Sequence, residues 1–187
     1  MGSCSLVKEL VVKHVPVNPK EETVRTLLSR YQRVSLGEIK RAPSLLVGHP
    51  NFISCYDGAA VPIHYKLFVF DYEGILGANL LSETNKFGVE QASGYELALL
   101  GQSPEFLEWI KPELNNRGEN IMALSLPMED LWKDGDPGDN NVYWTSCVDI
   151  RYEDAAITLK HFYAGKDPLK KIFPIDKKRY LIVGVQR

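Results

Sequence analysis

The stretch from Val61 to Tyr72, VPIHYKLFVFDY, constrains this chain more than any other. Its apolar and aromatic residues run almost without interruption, whereas an amphipathic helix or a strand with one wet face needs polar residues at a fixed period. The pattern is that of a strand covered on both faces and central in its sheet. Covering such a strand takes packed layers on either side, and 187 residues are enough for one domain with a core of that kind. Hydrophobic residues at 44% and charged residues at 25% lie near the globular average, which removes disordered, collagen-like and coiled-coil architectures.

Other segments supply the neighbours. Residues 1–8 read as a flexible N-terminus, and Glu9 to Val17, rich in β-branched types, as a first strand. A helix is expected from Pro19 to Arg33. Asn18 stands at its N-cap, Pro19 and Glu21 in its first turn, and Val24, Leu27, Leu28, Tyr31 and Val34 recur at helical spacing. Glycine and proline break the chain from Ser35 to Gly58, where short strands are expected near Ser44 to Val47 and Phe52 to Tyr56. The polar stretch from Ser82 to Gly94 reads as a long connection, followed by a short helix to Leu100.

Ser103 and Pro104 open a better helix with Phe106, Leu107, Ile110 and Leu114 along one stripe, which Pro112 is expected to kink or end early. Asn120 to Leu126 gives a strand and Met128 to Trp132 a single helical turn. Asn141 to Tyr152 and Ala155 to Tyr163 form a hairpin about Glu153 and Asp154, and Lys178 to Val185 is the last strand. With little regular βαβ alternation, the expected class is α+β. A single domain over residues 1–187 would carry a mostly antiparallel or mixed sheet with two or three helices packed on it.

Cys4, Cys55 and Cys147 are an odd number at wide spacing, with no C-x-x-C, so neither a disulfide framework nor a zinc site is indicated. A reducing, cytoplasmic compartment is expected. No apolar run is long enough to span a bilayer, and the myristoylation pattern that Gly2 invites fails at Leu6, where Ser or Thr belongs. Neither the P-loop nor G-x-G-x-x-G nor G-x-S-x-G occurs, and no cofactor is expected.

Asp71 and Glu73 are the best-placed acid pair. Spaced i, i+2 at the end of the buried run, they point the same way and could hold a divalent cation or divide acid and base roles. The segment Phe70 to Leu76, FDYEGIL, resembles the first motif of the haloacid-dehalogenase-type phosphatases, hydrophobic-D-x-D-G-T-L. That resemblance implies a nucleophilic role for Asp71 and a general-acid role for Glu73. It departs from the family at Glu73, which replaces the second Asp, and at Ile75, which replaces Thr; Ser125 is the only counterpart of the second motif. His161 is the histidine placed on the apolar side of the expected hairpin with Ile157, Leu159 and Tyr163, as a tuned base would be. On the other parity of the partner arm, Asp149 and Arg151 read as solvent-side neighbours.

The loop DGDPGDNN, with Asp134, Asp136 and Asp139, has the composition of a calcium loop but not its spacing, since Gly138 stands where an oxygen ligand belongs. It is the acidic pole of the chain. From Glu119 to Asp139 six acidic residues and one basic give −5, and from Lys166 to Arg187 seven basic and two acidic give +5. Opposite poles suit docking to another protein, and Trp132 and Trp144 flank the acidic loop with the amphipathic rings that recognition surfaces favour. The function expected first is therefore a non-enzymatic protein-binding module, of inhibitor, immunity or assembly type, contacting its partner through Trp132, Asp134, Asp136, Asp139 and Trp144. A metal-assisted phosphohydrolase using Asp71, Glu73 and His161 is the alternative. The third is nucleic-acid binding by the basic C-terminal segment, with Tyr163, Phe173 and Tyr180 as stacking groups. Self-association into a homo-oligomer is compatible with all three.

Overall fold

A computed structural model describes residues 4–13, 33–35, 62–70, 75–92, 94–125, 143–154, 157–165, 172–173 and 180–186. Its strands are β1 (Cys4–Lys13), β2 (Arg33–Ser35), β3 (Pro62–Phe70), β4 (Ile75–Leu76), β5 (Glu90–Gln91), β6 (Ile121–Ser125), β7 (Tyr143–Ile150), β8 (Ile157–Gly165), β9 (Ile172–Phe173) and β10 (Tyr180–Gln186). Its helices are α1 (Gly77–Asn85), α2 (Gly94–Leu100) and α3 (Pro104–Arg117). Eight strands form a mixed sheet in the order β1-β3-β10-β6-β7-β8-β2, with β5 beside the end of β10; β4 and β9 pair separately. Among the described strands only β10 with β6 and β2 with β8 run parallel, so what is described is α+β with a mixed, mostly antiparallel sheet.

The apolar run forms β3, which is bonded to β1 on one side and β10 on the other. It is an interior strand, although the middle of the described sheet is β6. Successive residues of β3 hold different layers, as strand alternation requires. Tyr65 and Leu67 face the helices, where they join Leu97, Leu100, Phe106, Ile110, Leu114, Val148, Ile150, Leu181 and Val183 in one buried cluster. The Tyr65 hydroxyl donates to the Glu96 carbonyl of α2 at 2.7 Å. On the opposite face Phe68 meets Phe87 at a centroid distance of 5.0 Å, and Lys66 Nζ donates to the Phe87 carbonyl at 3.1 Å.

Phe87 belongs to the stretch expected to be a long connection. Instead, α1 extends through Ser82 to Asn85, a turn follows, and β5 adds to β10. This segment is ordered because the second face of β3 and β10 needs a cover, which Phe87 and buried Val89 provide. The α3 expectation also needs correction at its end. The helix passes Pro112 and stops at Arg117, where Gly118 (φ 67) supplies a left-handed cap. Pro112 and Glu108 are both exposed, so water can take the Glu108 carbonyl that the proline nitrogen leaves unbonded, while Phe106, Ile110 and Leu114 keep the helix on the sheet.

β1 begins at Cys4, five residues before the strand expected at Glu9, and takes in most of the stretch read as flexible. The length of β3 accounts for this, since Phe70 pairs with Cys4. Arg33, expected to end the helix, and Val34, the last residue of its apolar stripe, lie in β2, where Val34 pairs with Leu159 of β8. The rest of that helix, the short strands near Ser44 to Val47 and Phe52 to Tyr56, and the turn from Met128 to Trp132 lie outside the described residues. The hairpin of β7 and β8 and the strands β6 and β10 stand where the sequence puts them, within two residues at each described end.

Candidate functional site

Of the residues proposed for function, Asp71, Glu73, Trp132, Asp134, Asp136 and Asp139 lie outside the described residues. The strands that lead to them are described, and they fix where each segment leaves the sheet. β6 ends at Ser125 and β7 begins at Tyr143, so the acidic segment between them both leaves and returns at one end of the sheet. β8 reaches Gly165 opposite Tyr143, which puts the start of the basic segment at that same end. β3 runs antiparallel to β10 and finishes beyond Phe68 at the opposite end, where β6 and β10 begin. Asp71 follows there.

Trp144 and His161 take register positions in the hairpin, Trp144 opposite Tyr163 and His161 opposite Ser146. Between Tyr143 and Trp144 the register slips, because Tyr143 pairs with Gly165 and Trp144 with Tyr163, leaving Ala164 as the extra residue. Such bulges twist a strand end and re-aim the residues beside it. His161 has the parity of Ile157, as expected, and Ile157 packs against the helix-side core. The strands carrying His161 and leading to Asp71 are β8 and β3, four strand intervals apart, or about 19 Å at ordinary sheet spacing.

The expected stacking groups scatter. Tyr163 is in β8, Phe173 in β9 and Tyr180 at the start of β10, with β6 and β7 between Tyr180 and Tyr163. Among the described residues no group of three or more His, Cys, Asp or Glu side chains is placed to hold a metal ion, and no helix is long and apolar enough to cross a membrane.

Asp149 departs from its expected solvent-side position. It is 3% exposed and stands opposite Thr158, which is 6% exposed. The assumption of a wet second face fails because Phe68, Leu124 and Ile182, on that same face, are buried as well. Arg151, two residues further along, is half-buried and pairs with Asp154 in the loop of the hairpin. The flanking Val148 and Ile150 gave no sign of this, since strand alternation puts them on the other face and they do not say what covers Asp149. Glu96, buried in α2, is a second acid that periodicity did not single out.

Compared with known proteins, the chain matches no family model, no curated protein and no solved structure.

Proposed function

We propose that this chain acts by binding a protein partner, as an inhibitor, immunity-type or assembly protein would, through the acidic segment and the tryptophans that flank it. The observation that carries this reading is the topology at one end of the sheet. The acidic segment containing Trp132, Asp134, Asp136 and Asp139 is anchored at Ser125 and Tyr143, beside the Trp144 and Tyr163 positions and the bulge at Ala164. A charged segment held at both ends by neighbouring strands loses less freedom on binding than a free tail does, and aromatic residues at its base supply apolar contact area. The alternative hydrolase gains nothing comparable, because Asp71 follows a strand at the other end and about 19 Å of sheet separates that strand from β8.

The test uses the full chain as bait, with Trp132→Ala and Asp136→Lys as comparison baits. Loss of a captured protein in both variants, with an unchanged melting temperature, supports the surface. Capture that survives both substitutions overturns it. A parallel thermal-shift titration with Mg²⁺, Mn²⁺, Ca²⁺ and Zn²⁺ distinguishes the other chemistries, since a ligand of the native state raises the midpoint. A shift lost in Asp71→Asn would favour the hydrolase, and one lost only in Asp136→Asn would favour calcium in the acidic loop.

A further inference from the structure

β1 is an edge. Among the described strands it pairs with β3 alone, and its outer side carries the backbone groups that a further strand would use. Three large apolar side chains are exposed among the described residues, and two of them, Val7 at 39% and Val11 at 46%, belong to this strand. Val7 is the extra residue of a bulge, since the register slips between Leu6 and Lys8. Beyond the bulge the strand is regular from Lys8 to Lys13.

Lysines on an edge usually keep other strands away. Here their spacing does the reverse for one particular partner. When two copies of β1 meet antiparallel about a two-fold axis at Val11, Val11 faces Val11, Leu10 faces Val12, and Glu9 of each copy faces Lys13 of the other. Residues 9, 11 and 13 share one face of the strand and residues 10 and 12 the other, so each pairing joins like faces. Shifting the axis to Leu10 puts Glu9 opposite Val11, and shifting it to Glu9 sets the two glutamates against each other. We infer that β1 is a self-association edge, and that two copies of this chain join their sheets through Glu9–Lys13 in the register centred on Val11. This inference is independent of the acidic segment, which leaves the sheet from β6 and β7.

Sedimentation of the full chain between about 1 µM and about 1 mM should show a monomer–dimer equilibrium. Glu9→Lys or Lys13→Glu, each placing two like-charge pairs in the dimer, should raise its dissociation constant about tenfold. The double exchange Glu9→Lys with Lys13→Glu should restore it. That rescue separates the intermolecular pairs from the bridge that Glu9 makes with Lys66 at 3.6 Å in its own chain, which the double variant still lacks. Val11→Cys should cross-link under mild oxidation, because directly opposed residues lie about 4.5 to 5.5 Å apart, within disulfide reach. Lys13→Cys should not, because the two copies of that position stand about 13 Å apart. A monomer at every concentration overturns the inference, as does a dimer indifferent to Glu9→Lys or cross-linked equally by both cysteines.

Discussion

Gly184 shows how one residue ties two layers together. A methyl group built on it would lie 2.6 Å from Val89 Cγ2 and 2.8 Å from Val89 Cβ, closer than packed carbons approach. Val89 is buried and β-branched, and its Cβ is fixed to the backbone leading into β5, so no rotamer change removes the overlap. Gly184→Ala should therefore destabilise the protein by about 1 to 3 kcal/mol, the cost of overpacking a filled core. Urea unfolding of the two proteins measures this, and equal midpoints would mean that Val89 can move away freely. Tyr65 and Lys66 work on the same principle from adjacent positions of β3. One hydroxyl reaches α2 and one ammonium reaches the turn after α1, on opposite faces.

At the scale of elements, α3 is the clearest case in which local chemistry sets both ends. The Ser103 hydroxyl oxygen accepts from the Phe106 N–H at 3.2 Å while the hydroxyl donates to the Leu100 carbonyl at 3.0 Å, so one buried side chain ends α2 and starts α3. Ser103→Ala should lower stability by about 1 kcal/mol and Ser103→Asp by more, since Asp can keep the cap but sets a buried carboxylate against the Leu100 carbonyl. Thermal unfolding of both would decide the matter, and an Ala variant as stable as the original would remove Ser103 from the account. This helix, the β7–β8 hairpin and the β3 run were legible because capping residues, turn residues and apolar periodicity all act locally. The order of α1 and β5 was not, because it depends on Phe87 and Val89 finding β3 and β10, a contact across the chain that no local period encodes. Asp149 failed for the same reason, since its burial depends on what covers the second face. Of the candidate site, the charge poles could be read from composition alone, whereas their departure from one end of the sheet needed the strand directions.

β10 joins the two parts of the described sheet. β1 and β3 form one part of the sheet and β6, β7, β8 and β2 another, and among the described strands they meet only through β10. Leu181 to Val185 are all buried, with β3 along one side of the strand from Ile182 on and β6 or β5 along the other. A strand so placed opens only when the sheet comes apart, so its amides should exchange with a free energy near that of global unfolding. Among the described strands β1 pairs on one side, and the amides it turns outward should exchange several orders of magnitude faster in the monomer. Hydrogen exchange followed residue by residue at low protein concentration checks both statements. If Leu181 to Val185 exchanged as fast as the outer amides of β1, the two parts of the sheet would have to be held together by something other than β10. Repeating the exchange at high concentration adds a second reading. Pairing of two copies through Glu9–Lys13 should slow the outward amides of that stretch and leave those of β10 unchanged, because only the edge acquires new hydrogen bonds.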